Sequence, residues 1–178
     1  MIHRLLPNAI AASPEAINYE RLWQMGYRAL IFDIDNTLVP HGADATPQAE
    51  TLMRRLRGMG FRIVLLSDNN RSRVRHFNRH LHLPYIHNAH KPSPRAFRKA
   101  LKMASHPAEE TVVIGDQMFT DILAASRAQI PSILVRYPGY GNGKWPGWHR
   151  LAERVLQPLR TLLPKNPDLT SAIIRQNP

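Results

Sequence analysis

Apolar residues in this chain fall into two patterns: short unbroken runs, and longer stretches where they recur every three or four positions. The runs are Ala29-Leu30-Ile31-Phe32, Ile63-Val64-Leu65-Leu66 and Val112-Val113-Ile114, with a further strand-like stretch from Ser132 to Tyr137. Continuous apolar runs of this length, closed by turn residues, fit strands buried on both faces. The spacing therefore predicts strands over Arg28 to Asp33, Phe61 to Leu66, Thr111 to Gly115 and Ser132 to Tyr137, with a short one at Tyr85 to Asn88. Helices are predicted between them. Pro14 to Met25 has Ser13 as cap and Pro14 at its first position, and Pro47 to Met59 is opened by Thr46. Arg71 to Leu83 places Val74, Phe77 and Leu81 on one face and stops at Pro84; Pro94 to Ser105 is capped by Ser93, and Phe119 to Gln129 follows the fourth strand. Strands alternating with helices of this length imply an α/β fold: a five-stranded parallel sheet, helices on both faces, three layers.

Beyond the fifth strand the pattern changes. Tyr137 to Gly147 is rich in glycine and aromatic residues, and Trp148 to about Leu163 reads as a helix that Pro158 would kink. We expect one domain over residues 1–163, with a motif-bearing core over 28–137, a loop and helix over 138–163, and a tail over 164–178. The first thirteen residues faintly imitate a signal peptide, but Pro7 and Asn8 break the apolar stretch and argue against it. No apolar run approaches the roughly 18 residues of a membrane span. The chain has no cysteine, which excludes disulfides and thiolate metal sites and fits a cytoplasmic location.

Charge adds one feature. The net charge is +11, and between Met53 and Ser105 there are 13 basic residues against one acid, Asp68. This is either a solvated helical surface or a field attracting an anionic partner: a phosphorylated substrate, an anionic bilayer surface or nucleic acid. His76 and His80 stand four apart on a predicted helix, but the arginines around them favour a solvated basic face over zinc. Trp145, Trp148, Tyr137 and Tyr140 either pack the last loop or meet a membrane interface.

The chemistry lies at the strand ends. Asp33-Ile34-Asp35-Asn36-Thr37 follows the first run, Ser67 the second, and Gly115-Asp116-Gln117-Met118-Phe119-Thr120-Asp121 the fourth strand, with Lys91 between. The carboxyl ends of parallel strands are where open α/β sheets bind ligands. On an extended strand Asp33 and Asp35 face one direction, and two close carboxylates need a cation or a proton to coexist. Phosphoryl transfer uses both arrangements: one ionised carboxylate attacks phosphorus, and the other gives a proton to the leaving oxygen and later takes one from water. A hard divalent ion such as Mg²⁺ suits an oxygen-lined site that Asp116 and Asp121 would complete. Lys91 supplies a fixed cation, and the Ser67 hydroxyl with nearby N–H groups can hold phosphate oxygens. No Gly-x-Gly-x-x-Gly follows the first strand, which disfavours dinucleotide binding. In a receiver-like signalling module the lysine would come last, whereas Lys91 precedes Gly115-Asp116. A catalytically idle module binding a partner through its basic segment is disfavoured by the full set of reactive side chains.

The ordered set resembles the haloacid dehalogenase (HAD) superfamily. The resemblance implies that Asp33 is a nucleophile forming an aspartyl-phosphate and that Asp35 is the general acid/base, its backbone carbonyl joining the metal shell. It implies further that Ser67 and Asn69 bind phosphate, Lys91 steadies nucleophile and phosphate, Asp116 ligates Mg²⁺, Asp121 supports the metal, and Thr37 holds the turn. A narrower resemblance is to the YqeG-type phosphatases, HAD subfamily IIIA. It rests on Leu6-Pro7, Asp35 to Val39, His90-Lys91-Pro92, Gly-Asp-Gln-x-Phe-Thr-Asp at 115–121 and Arg-Leu-Ala-Glu-Arg-Val-Leu at 150–156. Asp68 stands where such proteins have Asn. This kinship implies a HAD-like Rossmannoid fold and a phosphomonoesterase related to phosphatidylglycerophosphate phosphatases. Its substrate would be met at an anionic membrane surface by a cytoplasmic, peripheral enzyme; phosphoproteins and nucleic-acid ends are the competing substrates. HAD cap domains are inserted after the first strand or before the lysine. Here only 32 positions separate Asp35 from Ser67 and 24 separate Ser67 from Lys91, too few for a folded cap.

Overall fold

A computed structural model describes residues 6–135 and Leu169. Its elements are β1 (Ala9–Ala11), α1 (Tyr19–Gln24), β2 (Ala29–Phe32), α2 (Pro47–Gly58), β3 (Arg62–Leu66), α3 (Arg71–Phe77), β4 (Tyr85–Ile86), α4 (Pro94–Ala104), β5 (Thr111–Gly115), α5 (Leu123–Arg127) and β6 (Ser132–Val135). All six strands are parallel, in the order β1-β6-β5-β2-β3-β4. The chain winds from β2 outward through β3 to β4, then crosses to β5 on the other side of β2 and winds out to β6. The crevice outside β2 and β5 is therefore the point where the strand order reverses, where such sheets bind ligands.

The apolar runs behave as buried strands should. Every residue of β2 and β5 is buried. Leu30 and Phe32 join the core beneath α1, α2 and α3, built on Tyr19, Leu22, Leu52, Met53, Leu56, Val74 and Phe77. Ala29 and Ile31 face the opposite layer, with Phe97, Ala96, Ala100, Ala104, Ala124 and Ala125 from α4 and α5. Thr46 caps α2 by accepting from the Ala49 N–H at 3.2 Å, with Pro47 at the first position, and Ser93 caps α4 in the same way.

Among the described residues the sheet has six strands rather than the expected five. Ala9–Ala11 pairs with β6, Ala9 opposite Ile133 and Ala11 opposite Val135, and Asn8 fastens the start by exchanging bonds with Ser132. Several further elements are shorter than expected: β4 stops at Ile86, a π-helical turn takes the start of the helix predicted from Phe119, and two helices are cut by local polar contacts. The helix predicted from Pro14 divides into a 3₁₀ turn (Pro14–Ala16) and α1, because Ile17 is extended and Asn18 caps α1 from its side chain, while Ser13 makes no side-chain cap bond. α3 ends at Phe77 because the buried Asn78 amide bonds the Leu83 N–H (3.0 Å) and C=O (2.7 Å), drawing the chain into a turn. Between Asp35 and Ser67 the chain forms only a short loop, α2 and β3; between Ser67 and Lys91 it forms α3 and β4, and neither interval holds an inserted domain. The expected loop and helix over 137–163 and the tail over 164–178 lie outside the described residues, as do Trp145, Trp148, Tyr137 and Tyr140. Among the described residues no helix is long and apolar enough to cross a membrane.

Candidate active site

Asp33 is delivered by the end of β2, where its N–H still bonds the Ile114 C=O of β5 at 3.0 Å. Ile34 turns into the core, and its carbonyl accepts from the N–H groups of Thr37, Leu38 and Val39. That tight turn swings Asp35 away from Asp33, so the two carboxylates enter different networks. The Asp33 Oδ2 accepts from the Thr37 hydroxyl at 3.1 Å, and Oδ1 accepts from Lys91 Nζ at 2.6 Å. Lys91 also donates to Asp121 Oδ1 at 2.7 Å, and its side chain is only 4% exposed. Asp68 holds the lysine from behind, accepting the Lys91 N–H at 3.0 Å.

β5 brings the other acids. Its last residue, Gly115, must lack a side chain: a Cβ there would lie 2.6 Å from Cβ and Cγ of Asp121. A π-helical turn, Met118–Ile122, follows and buries Asp121, whose Oδ2 accepts the Gln117 N–H at 3.2 Å. Asp33, Asp116 and Asp121 each offer a carboxylate oxygen within 4.8 Å of the others, the one such acidic or histidine group among the described residues. The Asp116 Oδ1 is buried and has no hydrogen-bond partner among the described residues.

Three carboxylates around one ammonium leave the pocket over-negative. Burial, reinforced by Asp121 against the pull of Lys91, raises the Asp33 pKa to about 7. Burial, with Asp33 and Asp121, raises Asp116 to about 8. Burial disfavours charge on Lys91, but Asp121 and Asp33 together outweigh it and hold the lysine protonated, well above its ordinary range. An orphaned buried oxygen, surplus negative charge and an all-oxygen donor set fit a hard divalent cation.

Ser67, Asn69 and Asp35 form the second half of the site. Ser67 is buried at the end of β3, and its Oγ accepts from the Asn69 N–H at 3.1 Å and the Asn69 amide at 3.2 Å. The Asn69 amide also donates to Asp35 Oδ2. Asp35 Oδ1 accepts from the Gly42 N–H at 2.7 Å and from Arg73 Nη2 at 3.0 Å. The Asp35 carboxylate therefore stands outside the three-acid cluster. All seven predicted residues lie at the same edge of the sheet, where the Asn69 amide is engaged with both Asp35 and Ser67. Sequence reasoning gave no site role to Asp68, noted only as standing in place of Asn, or to Arg73. On α3 Arg73 stands four positions before the core residue Phe77, but nothing in that spacing points to Asp35. The histidines form no such group: Arg79 lies between them, 2.7 Å from His76 Nε2 and 3.0 Å from His80 Nε2, and His76 pairs with Asp44.

A family model described as HAD-hydrolase-like matches residues 88–160. The chain is 33% identical to the probable phosphatase YqeG of Bacillus subtilis over 84% of this chain and 87% of that protein. It is 28% identical to the glyceraldehyde 3-phosphate phosphatase of Pyrococcus abyssi over 51% of this chain and 42% of that one. Among solved structures, the cobalt-bound deoxy-D-mannose-octulosonate 8-phosphate phosphatase of Haemophilus influenzae superposes with a TM-score of 0.53 at 16% identity, covering 77% of this chain and 90% of the other. NagD of Escherichia coli gives 0.52 at 16% identity, covering 62% and 88%. These two establish likeness of fold.

Proposed function

We propose a mechanism for a chain that belongs to the YqeG-type phosphatases of the HAD superfamily: Mg²⁺-dependent hydrolysis of a phosphomonoester through an aspartyl-phosphate on Asp33. The observation that carries it is the three-carboxylate cluster around Lys91, with its orphaned Asp116 oxygen. Asp33, Asp116 and Asp121, with the Asp35 backbone carbonyl, would hold the ion. Bound there, Mg²⁺ supplies the positive charge that lets a phosphate dianion approach a carboxylate.

Thr37 and Lys91 each hold one oxygen of Asp33, fixing the carboxylate for attack. A bond forms between an Asp33 oxygen and phosphorus while the bond from phosphorus to the ester oxygen breaks, and Asp35 gives its proton to that oxygen. Water then attacks the phosphorus of the aspartyl-phosphate, Asp35 takes the proton, and Asp33 is regenerated as phosphate leaves. The Ser67 hydroxyl accepts two bonds from Asn69 and retains its own proton to donate to a phosphate oxygen.

Phosphatidylglycerophosphate is the substrate we favour. Among the described residues no cap is inserted over the strand ends, which suits a head group projecting from a bilayer, and Arg71 and Arg95 are exposed where α3 and α4 begin. Purified protein with Mg²⁺ should hydrolyse phosphatidylglycerophosphate in anionic vesicles faster than phosphopeptides or 3′- or 5′-phosphorylated oligonucleotides, with binding weakened by salt. Preference for either polymer overturns the substrate, whereas turnover by an Asp33→Asn variant overturns the mechanism.

A further inference from the structure

Arg73 belongs to none of the segments assigned to the reaction, yet its guanidinium is committed to the site. Nη2 donates to Asp35 Oδ1 at 3.0 Å and to the Ala43 carbonyl at 2.6 Å. The guanidinium carbon lies 5.7 Å from the Phe77 ring centroid, and the side chain is 18% exposed. Its Nε and Nη1 are buried without a hydrogen-bond partner among the described residues. Leaving buried donors unpaired costs stability, and what is set against that cost is the pair of bonds to Asp35 and the Ala43 carbonyl.

The surroundings give it a task. The Asp35 carboxylate is held from two sides: by Gly42 from the loop over residues 40–46, and by Asn69 and Arg73 from the β3–α3 side. The loop is fastened to α3 and the turn after it, since Ala43 accepts from Arg73 and Asp44 pairs with His76 (2.8 Å) and Arg79 (3.3 Å). Arg73 touches both Asp35 and the loop that donates to it. Removing it would leave the carboxylate to Gly42 and Asn69 alone and the loop to the Asp44 pairs, loosening both, while Asp33, Lys91, Asp116 and Asp121 keep their own contacts.

We propose that Arg73 is a positioning residue for the phosphatase reaction, holding the Asp35 carboxylate and the 40–46 loop in the arrangement in which Asp35 meets the leaving oxygen. This rests on the role given to Asp35 above. Loss of Arg73 should then resemble partial loss of the acid, not loss of phosphate binding. The distinguishing quantity is the dependence of kcat/KM on the leaving group, because a poor leaving group needs the proton and a good one does not.

The test measures kcat/KM of the full chain with Mg²⁺ on aryl and alkyl phosphates of increasing leaving-group pKa. The proteins are wild type, Asp35→Asn, Arg73→Met, Arg73→Lys and the Asp35→Asn/Arg73→Met double variant. A general acid contributes about 10²–10⁴ in rate, so Arg73→Met should lose about tenfold to a hundredfold on alkyl phosphates but only a few-fold on 4-nitrophenyl phosphate. Arg73→Lys should recover part of the loss, and the double variant should be no worse than Asp35→Asn. A uniform loss across the series, or additive losses in the double variant, overturns the proposal and leaves Arg73 structural. A wild-type slope in Asp35→Asn overturns the acid/base reading itself, and this proposal with it. Should Arg73→Met fail to fold, Arg73→Gln and Arg73→Lys carry the comparison, and wild-type slopes in both overturn the proposal.

Discussion

Asp116 and Asp33 show what a single buried carboxylate implies. Both titrate far above the ordinary carboxylate range, at about 8 and about 7, because burial and neighbouring acids oppose their charge. A carboxyl whose folded pKa is raised binds its proton more tightly folded than unfolded, so its protonation favours the fold. That contribution is full at about pH 4 and is lost as pH rises through about 7 to 8. Metal-free protein should accordingly lose thermal stability between pH 5 and 8. The decline should be shallower in Asp116→Asn, and Mg²⁺ should raise the unfolding midpoint more at pH 8 than at pH 5, reversibly with EDTA. Equal pH slopes in the two metal-free proteins would contradict the over-negative pocket. At this scale most of the candidate site residues were legible because acids, a hydroxyl and a glycine directly follow apolar runs. Asp68 and Arg73 were not, since one acts by holding a backbone N–H 23 positions away and the other by reaching an acid 38 positions away.

Elements were legible where a long pattern repeats and illegible where a local polar contact decides. The core strands β2, β3 and β5 and the helices α2 and α4 follow from apolar runs, helical spacing and caps. β1 is three residues long, too short for a period, and its partner Ser132 is 124 positions from Asn8. The π-helical turn at Met118–Ile122 reads in sequence as ordinary helix; its wider winding comes with the close approach of Asp121 to Gly115. The end of α3 depends on Asn78, whose amide substitutes for continued helix. Asn78→Ala should leave the Leu83 N–H and C=O without that partner and cost about 1–3 kcal/mol, measured by urea unfolding. The Asn78 amide bonds Leu83 and none of the acids, so stability should fall first, and any change in kcat/KM, carried through Arg79 to the 40–46 loop, should be the smaller effect. A fall in activity without a fall in stability would show that the turn serves the site and not the fold.

For the whole molecule, the sheet divides the basic segment. α2 and α3 cover one face and α4 the other, so the 13 basic residues between Met53 and Ser105 do not form one patch. The two groups approach each other at the rim where α3 and α4 begin, just after Ser67 and Lys91, and there Arg71 and Arg95 are exposed. That rim is the surface a bilayer would meet if its head groups are to reach Asp33. Each basic residue at an anionic surface contributes about 1 kcal/mol, so Arg71→Gln and Arg95→Gln should each weaken vesicle binding by about fivefold. Arg98→Gln and Lys102→Gln, along the body of α4, should change it little. Co-sedimentation with anionic vesicles at low salt measures both, and equal losses at the rim and on α4 would contradict this orientation. The parallel α/β class was legible from alternation alone, whereas the strand order and the pairing of β1 with β6 were not. Nor was the division of charge, because sequence neighbours on α3 and α4 pass to opposite sides of the sheet through β4.

The central claim is that Asp33 carries the phosphoryl group, and it is tested most directly by trapping that bond. Wild-type protein quenched in acid during turnover of an aryl phosphate with Mg²⁺, then reduced with borohydride and mapped by peptide mass spectrometry, should show a reduced residue at position 33. The modification should be absent without substrate. Reduction at another carboxylate, or none at any quench time while phosphate is being released, would contradict the account and point to direct attack by water.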